Sequence, residues 1–264
     1  DVIIHAMIAK NSKIVITGGA GFVGTHVVKH LRQRGYHNLI IPRSKDFDLR
    51  ISADCKKLAH QTDYIIHLAA NVGGIGYNRL NPANLFHDNL SMGINLLHEA
   101  HLAGVKKFVA MGTVCAYPKY TPVPFSEESF WEGYPEETNA AYGLAKKMLL
   151  VGAQAYRQQY GFNAVYLVPV NIYGPGDNFN PRESHVIPAL IRKIYNAKVS
   201  RQPTVTVWGT GNASREFLYV DDAARAVVLA LEKYNKSDPV NIGSGREILI
   251  IDLVKKIAEL IGFN

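Results

Sequence analysis

Between Lys13 and Gly35 the chain reads as strand, glycine turn and helix, and this stretch limits its fold more than any other. Lys13–Thr17 (KIVIT) is a short apolar run with β-branched residues, the mark of a buried parallel strand. Gly18-Gly19-Ala20-Gly21-Phe22-Val23-Gly24 follows it and opens an amphipathic helix. Gly18 permits the tight turn, Gly21 lets the backbone approach a pyrophosphate, and Gly24 lets helix and strand pack closely. The helix start, with Phe22 and Val23, offers free N–H groups and a positive dipole end to phosphates. A tight turn with no ligand is the alternative, and the flanking strand and helix weigh against it.

Further strands are predicted at Leu39–Ile41, Tyr64–Leu68, Phe108–Met111 and Ala164–Val168. Between them Ala83–Ala103 reads as a helix with Gly104 as its C-cap, and Tyr142–Tyr160 as a long helix ending near Gly161. Strands alternating with helices imply an α/β chain with a doubly wound parallel sheet, the Rossmann fold. Asn171–Ser184, rich in Pro, Gly and Asn, reads as a loop. Later elements are predicted as helix His185–Ala197, strands Val205–Trp208 and Glu216–Val220, helix Asp221–Tyr234, strand Val240–Ile242 and helix Ile250–Ile261.

The 264 residues are 47% hydrophobic and 19% charged, enough apolar material for a buried core. The net charge of +7 fits either nucleic acid or a phosphate-bearing small ligand. Lys and Arg are scattered, with only short pairs such as Lys56-Lys57, Lys106-Lys107 and Lys146-Lys147, so the small ligand is expected and nucleic acid is not. The two cysteines, Cys55 and Cys115, are too few for a secreted disulfide scaffold and fit reduced thiols in the cytoplasm. No run reaches the ~20 apolar residues of a membrane span, and Asp1–Ala9 lacks signal-peptide features. No metal site is expected.

At the end of the second strand, where NAD sites usually place Asp or Glu, the chain has Pro42-Arg43-Ser44-Lys45. A cation there suits an adenosine 2′-phosphate, so NADP is expected ahead of NAD, although Asp46 and Asp48 are close and Arg43 could be a solvated loop charge. Ala69 and Ala70, after the third strand, leave room for a dinucleotide across the sheet, though tight loop packing explains them equally. Tyr142 and Lys146 stand four apart, on one helix face. The neighbouring ammonium, with the cofactor's positive ring, is expected to lower the phenol's pKa. Tyr142 can then exchange a proton with a carbonyl undergoing hydride transfer.

The chain here resembles the extended short-chain dehydrogenase/reductase family, and within it the GDP-L-fucose synthases. The resemblance runs from about Ser12 to the end. It is carried by Val72–Ile75, Gly112–Lys119, Glu137–Tyr142, Asn171–Pro175, Ser184–Leu190 and Arg215–Leu218. It implies a GDP-linked 4-keto-6-deoxy sugar substrate, epimerised beside its ketone and then reduced. Cys115 is the implied base and His185 the implied acid, since thiol and imidazole titrate near neutral pH. Taken singly, Cys115 could be a small buried apolar residue and His185 an idle helix-start histidine. Thr113 stands where the family usually has Ser, and it keeps the hydroxyl on a stiffer rotamer. Lys146 is the implied ligand of the nicotinamide ribose.

For the substrate the resemblance implies Lys193 and Arg215 near the diphosphate and Trp208 by the guanine. A solvated helix charge and a core indole are the alternatives for Lys193 and Trp208. Pro169, Asn171 and Ile172, after the fifth strand, together with His185, are expected at the nicotinamide end. The dinucleotide domain is expected over residues 1–170 and about 213–242. A smaller, discontinuous substrate domain is expected over about 171–212 and 243–264, with its C-terminal part beyond Asn264. Relatives dimerise through two long helices, for which Ala83–Ala103 and Tyr142–Tyr160 are candidates, although a core face explains their apolar residues as well. Two rivals are another nucleotide-sugar epimerase or reductase, acting on deoxy or heptose sugars, and a non-catalytic dinucleotide-binding protein.

Overall fold

The computed structural model describes residues 8–181 and 183–263. Most of Asp1–Ala9, and Asn264 where the chain stops, lie outside the described residues. In chain order the first half runs β1 (Ile14–Thr17), α1 (Phe22–Gln33), β2 (Leu39–Ile40), α2 (Ser52–Ala59), β3 (Tyr64–His67), α3 (Ile75–Leu80), α4 (Pro82–Leu102) and β4 (Lys107–Met111). It continues through α5 (Ala140–Tyr160) and β5 (Ala164–Pro169). The second half adds β6 (Asn171–Tyr173), α6 (Val186–Val199), β7 (Ser214–Tyr219), α7 (Val220–Lys233), β8 (Val240–Ile242), β9 (Glu247–Leu249) and α8 (Ile250–Ile261).

The main sheet is parallel throughout, in the order β2-β1-β3-β4-β5-β8. Its central strands β1, β3, β4 and β5 are buried on both faces, which is why they are largely apolar runs. Alternate side chains build two cores. Ile14, Ile16, Ile66, Val109 and Val165 pack with α1 and α7, while Val15, Ile65, Phe108 and Tyr166 pack with α2, α4 and α5. The chain reverses its direction across the sheet between β1 and β3, so the crevice at their carboxyl ends is the switch point where α/β sheets bind ligands.

A second layer holds the sheet β6-β7-β9, with β6 and β7 parallel and β9 antiparallel. Helices α6 and α8 close this layer through Ile187, Leu190, Ile194, Leu253 and Ile257. Sequence patterning misread two stretches here. Asn171–Tyr173 is strand β6, not loop, because it pairs with β7 beyond the Pro/Gly-rich part. Val205–Trp208 is not a strand. Val205 and Val207 tuck against the α6–α8 core while Thr206 and Trp208 face out, so the alternation is real but no partner strand reads it.

The predicted long helices form with their ends close to expectation: α4 opens with Pro82 at its first turn, and Gly104 and Gly161 end α4 and α5 in left-handed conformation. Helices α2 and α3 and strand β9 carried no sequence signal strong enough to predict. Among the described residues no helix is long and apolar enough to cross a membrane.

Candidate active site

A cleft of about 2680 Å³ runs from the carboxyl ends of β1–β5 to the second layer. A pocket for one small molecule spans roughly 300–1,000 Å³, so this cleft is sized for more than one. It gathers every site residue expected from the sequence, from Gly18 and Arg43 to Lys193, Trp208 and Arg215.

At one end stands the glycine turn. Gly18 has φ +70°, and a Cβ on it would meet the Ala69 nitrogen at 2.8 Å. A Cβ on Gly24 would meet the Gly18 oxygen at 2.1 Å. Both positions therefore require glycine, one for its dihedral and both for close approach. No side chain caps the start of α1, leaving its first N–H groups, beside Phe22 and Val23, turned to the cleft. This cradle fits a dinucleotide pyrophosphate. Ala69, packed directly against Gly18, and Ala70 line the cleft beside the turn.

The charges after β2 sort themselves by geometry. Arg43 and Ser44 line the cleft, whereas Lys45 and Asp46 do not. Asp48 lines it too, but the Arg50 guanidinium bonds both its oxygens, at 2.9 and 2.7 Å. Those bonds hold the Asp48 carboxyl down at about 2. Arg50 also reaches Asp88 at 3.2 Å, and Asp88 accepts from Asn71 at 3.0 Å. Asp48 is thus charge-compensated, and Arg43 is left to face an anion.

In the centre, Tyr142 and Lys146 line the cleft from the first turns of α5. Lys146 is buried, and its Nζ donates to the Met111 carbonyl at 3.1 Å. Burial pulls its pKa down to about 8. Burial first, and then Cys115, push the Tyr142 phenol well above the ordinary range, against a hydrogen bond from Thr113 that lowers it. The expectation that Lys146 lowers the Tyr142 pKa therefore fails in the protein alone. Desolvation wins, the Lys146 donor is aimed at a carbonyl, and Tyr142 keeps its proton.

Thr113 ends β4's loop and accepts from the Cys115 N–H at 3.2 Å, which starts the short turn Val114–Ala116. Burial lifts the Cys115 thiol, helped by Glu136 and opposed by Thr113 and Arg215. The expectation of a thiol titrating near neutrality is corrected accordingly: at rest Cys115 is protonated. Behind this centre His67 is fully buried, with Nδ1 2.8 Å from the Thr17 hydroxyl. Burial and the Lys146 ammonium hold His67 neutral, its pKa near 3.

His185 sits at the N-terminus of α6, exposed, on the cleft wall that the second layer forms. Pro169, Asn171 and Ile172 line the floor between the two sheets. At the far end Lys193 Nζ donates to the Thr206 carbonyl at 2.8 Å and stands 5.4 Å from the Trp208 ring centroid. Trp208 is 86% exposed, so its ring is free to stack rather than part of the core. Arg215 is exposed on β7, lines the cleft, and is close enough for its charge to act on Cys115.

The sequence did not reveal a polar chain beside Tyr142. Asn78 Nδ2 donates to Asn139 Oδ1 at 2.9 Å, and Asn139 Nδ2 to Glu136 Oε2 at 2.7 Å. All three line the cleft. Asn139 precedes the first turn of α5, which is the one local signal; Asn78 lies sixty-one residues away and only folding joins them.

Residues 14–243 match the NAD dependent epimerase/dehydratase family. The chain belongs to that family. It is 41% identical over 263 residues to GDP-L-fucose synthase 1 of Arabidopsis thaliana, covering 99% of this chain and 81% of the relative. Among solved structures it is similar to an NADP-bound GDP-L-fucose synthetase from Naegleria fowleri (TM-score 0.87, 31% identity, 98% of this chain and 80% of that one). It is also similar to an NADP-bound GDP-mannoheptose C4 reductase from Campylobacter jejuni (TM-score 0.88, 28% identity, 97% and 87%).

Proposed function

We propose that the chain converts GDP-4-keto-6-deoxy-D-mannose to GDP-L-fucose by 3,5-epimerisation followed by NADPH-dependent reduction at C4. The observation that carries this reading is Cys115 lining the same cleft as Tyr142 and Lys146, one turn from Thr113. A tyrosine–lysine pair alone serves any carbonyl reduction. A thiol beside it adds a group able to move protons at the carbons flanking the ketone.

In this account the C4 ketone acidifies C3 and C5. Cys115 takes the proton from one face and His185 returns one to the other. Arg215, which opposes the burial of Cys115, favours the thiolate this requires. NADP, when bound, supplies the hydride for C4. Gly18, Gly21 and the start of α1 hold its pyrophosphate, Arg43 its 2′-phosphate, and Lys146 its nicotinamide ribose. Tyr142 gives its proton to the C4 oxygen, which suits a phenol that burial keeps protonated until charge develops beside it. Thr113 donates to the same oxygen. Lys193 and Arg215 meet the diphosphate, and Trp208 stacks on the guanine.

The main sheet with α7 and β8 serves the dinucleotide, and the second layer serves the nucleotide sugar. Phe86, Ile94, Leu102, Val151 and Tyr160 are exposed apolar residues on α4 and α5, helices that pack together. They support a homodimer formed through those two helices. The free thiols support a cytoplasmic setting. Reduction of a GDP-4-keto heptose is the second reading, favoured by the likeness to the heptose reductase. Incubation with GDP-4-keto-6-deoxy-mannose and NADPH tests the first: loss of the reduced cofactor's absorbance is expected, and its absence overturns the reading.

A further inference from the structure

Lys147 follows the catalytic pair directly and has no part in the chemistry above. It is 2% exposed and does not line the cleft. A buried ammonium is costly unless its donors are satisfied. Lys147 Nζ donates to the Phe130 carbonyl, and to the Ala116 carbonyl at 3.4 Å. It also stands 4.4 Å from the Trp131 ring centroid and 4.8 Å from that of Phe130, within cation–π range.

This one ammonium joins three segments: helix α5, the turn Val114–Ala116 that carries Cys115, and the turn Glu127–Trp131. The last is fixed independently to β8. The Asn241 N–H donates to Glu127 Oε1 at 2.8 Å and Asn241 Nδ2 to the Phe125 carbonyl at 3.0 Å. Tyr117 donates to Asn241 Oδ1 at 2.8 Å and packs edge-on to Phe130, 4.8 Å between centroids. The Cys115 turn is thereby anchored to β8 on its C-terminal side and to α5 through Lys147. An apolar side chain of the same length would fill the space but leave the Ala116 and Phe130 carbonyls without this donor.

We propose that Lys147 is a positioning residue: through the Ala116 carbonyl it fixes where the Cys115 thiol stands relative to Tyr142. Its catalytic consequence rests on the role given to Cys115 above; its structural consequence does not.

The two consequences are read separately. Cys55 is fully buried, so alkylation of the folded protein by iodoacetamide reports Cys115. Lys147→Met is expected to speed alkylation about fivefold, the opening expected on losing one buried hydrogen bond. On the keto sugar, kcat falls about tenfold while the KM for NADPH holds, since the dinucleotide cradle is untouched. Lys147→Arg, which keeps the cation and its donors, restores both. Unchanged alkylation in Lys147→Met overturns the proposal, and so does a KM for NADPH that rises in step with the loss of kcat. If Lys147→Met does not fold, Trp131→Leu strips one face of the clamp at a half-exposed ring; unchanged alkylation there overturns it equally. A parent enzyme inactive on the sugar defeats the functional reading alone and leaves the alkylation result standing.

Discussion

A Cβ on Gly143 would stand 2.4 Å from the Cys115 carbonyl oxygen. The helix that carries Tyr142 therefore lies directly on the turn that carries Cys115, with no space for a methyl group between them. Backbone stands on both sides of this contact, so neither side can yield by a rotamer change. Gly143→Ala is expected to lower stability by about 1–3 kcal/mol, as overpacking does. It should lower kcat as well, because separating the two backbones moves the proposed base away from the proton donor. Thermal melting and steady-state kinetics check this; a folded variant with unchanged kcat speaks against a rigid apposition.

Lys146 carries a stability cost because its ammonium is buried. Burial brings its pKa from 10.5 to about 8. Between those values the unfolded chain binds the proton more tightly than the folded one, so this residue's contribution to stability rises with pH across that window. Below it the folded chain bears the full cost of the buried ammonium. Lys146→Met is expected to be more stable than the parent near pH 7, by on the order of 3 kcal/mol at most, less the lost bond to Met111. The gain should shrink near pH 10. Denaturant titrations at the two pH values read this, and turnover should fall about 10²–10⁴-fold. No stability gain at either pH contradicts it.

Arg43 should decide between the two dinucleotides, because Asp48 is neutralised by Arg50. Arg43→Ala is expected to raise the KM for NADPH about tenfold or more, the value of one charge-assisted bond, with the KM for NADH little changed. Arg50→Ala should act in the same direction by releasing the Asp48 charge towards the phosphate. Equal effects on both cofactors would remove Arg43 from this role.

Cys115→Ser separates the two proposed steps. Epimerisation, followed as solvent deuterium entering the sugar, should slow by about 10²–10⁴-fold. Hydride transfer to an already epimerised sugar should slow far less. Equal losses in both steps would make Cys115 a structural residue.

The candidate dinucleotide cradle and the tyrosine–lysine pair are legible in the sequence because their signals are local. The strand, the glycine turn and the helix start lie within Lys13–Gly35, and the tyrosine–lysine pair spans one helical turn. The other features depend on contacts that only the fold creates. Arg50 stands only two residues from Asp48, but the fold alone brings Asp88 of α4 to the other side of the Arg50 guanidinium and so sets how these charges lie against the cleft. Lys147 looks like one of several scattered cations, yet the fold buries it under Phe130 and Trp131. Val205–Trp208 has strand periodicity, but its apolar side chains meet helices. Proton affinities are the least legible property: desolvation raises Tyr142 and Cys115 against what their sequence neighbours imply.

Running the reaction in D₂O with NADPH and GDP-4-keto-6-deoxy-mannose tests whether epimerisation and reduction share this cleft. The product should carry solvent deuterium at both C3 and C5 and hydride from the cofactor at C4. A reduced sugar without deuterium at C3 and C5 would show a simple reductase and exclude epimerisation by this cleft.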